Sequence, residues 1–138
     1  ISDNAGGHLM QKGEVDFVIV GADRISIHGD VCNKIGTYLK AVAAFENNIP
    51  FYVAAPKSTI DQDASKNFFD TPIESRHEEE VLMMQGLNNK NELTNIQIAP
   101  KGTRAFNPAF DITPHKYVTK IITEDGVYSP QELKSFYS

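Results

Sequence analysis

Hydrophobic positions fall into two distinct rhythms along the chain. Val15-Asp16-Phe17-Val18-Ile19-Val20 is a near-continuous β-branched and aromatic run, the pattern of a strand covered on both faces in a parallel sheet. From residue 33 to 47 the period changes. Ile35, Leu39, Val42, Ala43 and Glu46 recur at three- and four-residue spacing, which predicts an amphipathic helix of about four turns. Phe51-Tyr52-Val53-Ala54-Ala55 is a second buried run, stopped by Pro56. Strand, long helix and strand in that order predict a βαβ unit and an α/β fold class.

The flanking segments are punctuated by turn chemistry. Asp3 or Asn4 is placed to cap a short helix carrying Leu9 and Met10 inward, with Gly13 as its stop. Turns are expected at Gly21-Ala22-Asp23-Arg24 and at His28-Gly29-Asp30. Residues 61–70 lack a period and read as loop. Residues 74–80 hold four glutamates and one arginine, a solvated helical face. Residues 85–95, with four asparagines and a glycine, read as a surface insertion, followed by a short strand at Ile96-Gln97-Ile98-Ala99. Thr113-Pro114 predicts a helix start whose buried face is Tyr117, Val118, Ile121 and Ile122, ending at Gly126. Ser129-Pro130 repeats that signal for a terminal helix with Leu133, Phe136 and Tyr137.

Composition narrows the function. The chain has 138 residues, close to one domain by length, and 41% of them are hydrophobic. No stretch approaches the ~18 consecutive apolar residues of a membrane helix. One cysteine excludes an intrachain disulfide framework and a multi-cysteine zinc site, and the four histidines have no ligand spacing, so no metal is expected. A net charge of −5 gives no cationic field for nucleic acid or acidic membranes. The opening Ile1-Ser2-Asp3 has neither an initiator Met nor a signal segment, and reads as the continuation of a longer protein.

Ligands of open α/β sheets bind beyond the carboxyl ends of the strands, where residues 21–34 and 56–61 project. Asp23 stands there as a general acid or base, with a plain turn residue or a salt-bridge partner of Arg24 as the alternatives. Asn33-Lys34-Ile35-Gly36-Thr37 opens the long helix, where free N–H groups and Lys34 suit a phosphate; a plainly capped helix is the alternative. Cys32 at the helix entrance is a nucleophile or a small buried filler. Ser58 and Thr59 are possible hydroxyl contacts at the mouth, His28 is a turn residue and His115 a first-turn helix residue.

Gly21-Ala22-Asp23-Arg24-Ile25, Gly29-Asp30-Val31 and Asn33-Lys34-Ile35-Gly36-Thr37-Tyr38 closely resemble the signature of methylthioribose-1-phosphate isomerases. Blocks similar to the same family follow in order. They are residues 49–56, Ser58-Thr59-Ile60-Asp61, Pro72-Ile73-Glu74 with Arg76, residues 107–114, and Ile121-Ile122-Thr123-Glu124. The opening Asp3-Asn4-Ala5 matches too. That family shares its fold with the α, β and δ subunits of the translation-initiation guanine-nucleotide exchange factor 2B and with ribose-1,5-bisphosphate isomerases. The resemblance implies a Rossmann-like three-layer domain, a mainly parallel sheet flanked by helices, spanning 1–138 as the C-terminal catalytic part of a longer protein. A helical N-terminal domain, a homodimer and a cytoplasmic setting (or nuclear in a eukaryote) are implied with it.

The implied reaction converts 5-methylthioribose 1-phosphate to 5-methylthioribulose 1-phosphate in methionine salvage. Asp23 matches the catalytic aspartate, and Asn33 and Lys34 match substrate-contacting positions. No metal or organic cofactor is implied. Arg24 and the Asn33-Lys34 pair fit this branch better than the bisphosphate enzymes or the regulatory subunits. The sequence departs from the family at residues 62–71, at Ser75, at 85–95, and at Cys32, where alanine is common. The family's catalytic cysteine and phosphate-binding arginines lie upstream of the region matched, so Cys32 does not take that role and the 138 residues alone are expected to be inactive.

Overall fold

The computed structural model describes residues 1–63 and 67–137. In chain order the elements are helix α1 (Ala5–Gln11), strands β1 (Val18–Val20), β2 (Arg24–Ser26) and β3 (Val31–Lys34), helix α2 (Thr37–Glu46), strands β4 (Phe51–Ala54) and β5 (Ile60–Asp61), the single turn α3 (Glu79–Leu82), strands β6 (Met83–Leu87), β7 (Leu93–Gln97), β8 (Phe110–Thr113), β9 (Lys120–Thr123) and β10 (Gly126–Tyr128), and helix α4 (Leu133–Tyr137). They form two compact units, one of residues 1–72 with 110–138 and one of 73–109.

The larger unit holds two four-stranded sheets. The first runs β1-β4-β9-β10. The strands β1, β4 and β9 are parallel, with Val18 opposite Phe51 and Val53 opposite Ile121, and β10 returns antiparallel. The predicted βαβ unit is therefore present, with β1 and β4 as its strands and α2 between them. The second sheet runs β5-β2-β3-β8 and is mainly antiparallel. The α/β class holds, and its mainly parallel sheet is the first of the two.

One hydrophobic cluster joins these elements. Met10, Ile25, Ile27, Val31, Phe51, Val53, Ile60, Val118, Ile121 and Leu133 are buried in it. Helix α2 contributes Ala41 and Ala44, with Thr37 buried beside them. Its expected inward stripe is thus rotated: Leu39 is 67% exposed and Ile35 46%. Small residues face the sheet because they let the helix lie close to β1 and β4. Strand β1 is also less covered than expected. It is an edge strand, with Val18 and Val20 toward the cluster and Ile19 half exposed.

The segment after Thr113-Pro114 is not a helix. Strand β8 ends there, a 3-10 turn spans His115–Tyr117, and β9 takes Ile121 and Ile122 into the first sheet. Their spacing suits a helix, but the run Thr119-Lys120-Ile121-Ile122-Thr123 is β-branched at four positions, and β4 offers a parallel partner. The terminal helix is present: Pro130–Glu132 form a 3-10 turn that leads into α4.

In the smaller unit only Glu79–Leu82 of the glutamate-rich stretch is helical. The expected insertion at 85–95 is an antiparallel hairpin of β6 and β7, with Met84 opposite Ile96. The short strand expected from Ile96 begins earlier, at Leu93. The loop expected over 61–70 lies partly outside the described residues.

Candidate functional site

Asp23 lies at the foot of a hairpin rather than in an open loop. Strands β2 and β3 pair antiparallel, Arg24 opposite Cys32 and Ile25 opposite Val31. The Asp23 N–H extends this ladder by donating to the Cys32 carbonyl at 3.0 Å. Its side chain is exposed. Arg24 does not pair with it. The Arg24 guanidinium bonds the Asp61 carboxylate and stacks 5.6 Å from the centre of the Phe68 ring. The alternative of an Asp23–Arg24 ion pair is therefore replaced by Arg24–Asp61, which ties β2 to the segment after β4.

Asn33 and Lys34 are the last residues of β3, not the first turn of α2. The ladder with β8 runs through them, Asn33 opposite Asp111 and Lys34 opposite Phe110. The helix begins at Thr37, after Gly36 at φ 99°. Only a residue without Cβ adopts that left-handed corner at low cost. Asn33 Nδ2 donates to Thr37 Oγ1 at 3.1 Å, and Thr37 Oγ1 donates to the Lys34 carbonyl at 2.7 Å. Lys34 is exposed.

The helix start already holds an anion. Asp111 reaches across from β8 and accepts from the Gly36 N–H at 2.7 Å and the Tyr38 N–H at 3.0 Å. The expectation of free N–H groups at this point is corrected: a carboxylate of the chain occupies two of them. Asp111 is the neighbour of this corner that sequence reasoning missed. The signal was indirect. No side chain of α2's own N-terminus caps it and its first turn carries no acid, so a cap from elsewhere was required.

Beside this corner a cleft of about 480 Å³ opens between α1 and α2, lined by Asp3, Asn4, Gly7, Ile35, Tyr38, Leu39, Lys40 and Asp111. Lys40 lies 3.6 Å from Asp3 across it. A second hollow of about 340 Å³ is bounded by Arg24, Asn67, Asp70, Thr71 and Pro72.

Cys32 is buried at 6% exposure. Burial pushes its thiol up, the Asp23 carboxylate raises it further, and Arg24 opposes both. A thiol so placed is a poor nucleophile, as a buried filler should be. Ser58 and Thr59 fall in the 3-10 turn Lys57–Thr59 behind β4. His115 sits in a 3-10 turn with its ring against Asp30. Among the described residues no group of three or more His, Cys, Asp or Glu is placed to hold a metal, and no helix is long and apolar enough to cross a membrane.

The hairpin foot, the end of β3 and the start of α2 thus bring Asp23, Asn33, Lys34 and Asp111 to one end of the second sheet. The chain as a whole is similar to several known proteins. The chain is 58% identical over 127 residues to the methylthioribose-1-phosphate isomerase of Methylocella silvestris, covering 92% of the chain and 35% of that protein. It superposes with TM-score 0.81 and 50% identity on the crystal structure of 5-methylthioribose 1-phosphate isomerase from Pyrococcus horikoshii OT3, over 98% of the chain and 35% of that one. It superposes with TM-score 0.79 and 48% identity on translation initiation factor eIF-2B, subunit delta, from A. fulgidus, over 96% and 35%. The chain therefore spans about a third of the length of these relatives. The model of the Initiation factor 2 subunit family matches residues 1–130, and the chain belongs to that family.

Proposed function

We propose that the protein carrying this chain is an aldose–ketose isomerase that converts 5-methylthioribose 1-phosphate to 5-methylthioribulose 1-phosphate, and that this chain is its C-terminal part. The observation that carries the reading is sequence likeness along 92% of the chain to a protein of that name. The chemistry fits the residues. A 1-phosphorylated ribose has no free aldehyde, so the ring must open with the phosphate still attached. Asp23 gives a proton to the ring oxygen as its bond to C1 breaks and the bonding pair goes to that oxygen. The hydrogen on C2 then moves to C1, and the C2 hydroxyl loses its proton, which restores the acid and leaves the ketone. Lys34 and Asn33 hold the sugar phosphate at the end of β3, fixing the ring against Asp23. The working protein is a cytoplasmic homodimer on this reading.

A second reading has its own support, the likeness to the eIF-2B delta subunit structure. It makes the protein a non-catalytic regulatory subunit. An isomerase assay on the full-length protein separates the two, with ribose 1,5-bisphosphate offered alongside the methylthio sugar. The isomerase reading expects turnover of the methylthio sugar, and loss of at least about a hundredfold in Asp23→Asn with the fold intact. Near-normal turnover in Asp23→Asn overturns the role of Asp23. No turnover of either sugar by the parent protein favours the regulatory subunit.

A further inference from the structure

We propose that Asp30 and His115 form a positioning pair that holds β2, and with it Asp23, in place on the second sheet; the inference rests on the isomerase reading above. Asp30 stands at the closed end of the β2–β3 hairpin and is 8% exposed. Its Oδ1 accepts from the His115 backbone N–H at 2.9 Å and faces His115 Nδ1 at 2.8 Å. Its Oδ2 accepts from Ser26 Oγ at 3.2 Å, and its own N–H donates to Ser26 Oγ at 3.0 Å. A carboxylate buried this deeply persists only with such donors.

The donors come from two segments that the pair joins. Ser26 is the last residue of β2, and His115 follows the end of β8. The hairpin turn between Ser26 and Asp30 has no slack. Gly29 sits at φ 91°, and a Cβ built on it falls 2.5 Å from Cβ of Pro130. Beyond this pair, β2 is held by two-residue ladders to β5 and β3, by the burial of Ile25, and by Arg24–Asp61. Asn33 is held independently, through Thr37 at the corner that Asp111 caps. Loss of the pair should loosen the bond from the Asp23 N–H to the Cys32 carbonyl, while Asn33 keeps its bond to Thr37.

The geometry also says which ring nitrogen acts. A carboxylate oxygen accepts, so His115 Nδ1, which faces Asp30 Oδ1, is the donor and Nε2 takes no part in the pair. An asparagine at this position can offer an N–H where Nδ1 stood; a glutamine reaches to where Nε2 stood.

The test uses the full-length protein and its Asp30→Asn, His115→Ala, His115→Asn and His115→Gln variants. Asp30→Asn and His115→Ala are expected to lower kcat about tenfold with KM within about twofold. His115→Asn should recover most of that loss, and His115→Gln should not. Hydrogen exchange at the Asp23 amide should quicken in His115→Ala, a readout that needs no turnover. A parent protein that does not turn over the sugar overturns the isomerase reading. Unchanged exchange at Asp23 overturns the positioning role, as does rescue by glutamine instead of asparagine. A kcat loss no larger than the loss of folded protein overturns it as well.

Discussion

Asp111 and Cys32 show how single residues set this site. Asp111 is the cap of α2, with two short bonds to the Gly36 and Tyr38 N–H groups. Truncation to alanine leaves those donors without the carboxylate and removes a charge that the helix dipole favours. Asp111→Ala is expected to cost about 1–2 kcal/mol, read from the urea midpoint at unchanged slope. Asp111→Asn should cost less, because its oxygen can still accept one bond. Cys32 is the opposite case, a reactive group kept quiet. Burial, then the Asp23 charge, raises its thiol, so the thiolate fraction at neutral pH is below that of a free cysteine. Iodoacetamide should label the folded protein slowly at pH 7 and label it fully in urea. Labelling of the folded state at the rate of a free thiol would contradict this account.

At the scale of elements, the terminal helix is held by a pH-sensitive start. Glu132 accepts from the Ser129 N–H at 2.6 Å and from the Ser129 hydroxyl at 2.7 Å. The backbone bond, then the hydroxyl bond, holds the Glu132 carboxyl below its ordinary range. A carboxyl depressed in the folded state stabilises it fully above the unfolded value. That stabilisation is lost as pH falls through the folded value. The start of α4 should therefore loosen only under acid conditions, below the ordinary glutamate value of about 4.3. The Ser129 amide shift followed by NMR checks this, and in Glu132→Gln the transition should vanish. This start was legible in Ser129-Pro130, as were the βαβ unit and the α1 stop at Gly13, because caps and turns are local chemistry. The strand at β9 was misread, since Val118, Ile121 and Ile122 satisfy helix spacing as well, and the β-branched run decides only together with the free edge of β4. The proposed site residues, Asp23, Asn33 and Lys34, were chosen from the sequence. Their geometry was not legible there, because the cap on α2 comes from Asp111, seventy-odd positions away in the chain.

For the whole molecule, the question is what these 138 residues can do by themselves. The buried cluster from Met10 to Leu133 draws on both sheets and three helices, enough apolar cover for the larger unit to fold cooperatively. Catalysis asks for more. Proton delivery to a ring oxygen works in a site that excludes water, and Asp23 is exposed at the foot of its hairpin. The cleft between α1 and α2 is lined by Leu39 at 67% exposure and is open to solvent. The relatives are about three times as long, so cover for Asp23 and further phosphate contacts have ample chain to come from. The purified 138-residue chain is expected to melt in a cooperative transition yet show no isomerase turnover, whereas the full-length protein shows it. Because the fold and the chemistry are assayed separately, the two halves of this expectation can fail independently. A non-cooperative melt would mean that the buried cluster needs the rest of the protein. Turnover by the short chain would mean that Asp23, Asn33 and Lys34 act without further cover, and that an exposed carboxyl group can serve as the acid.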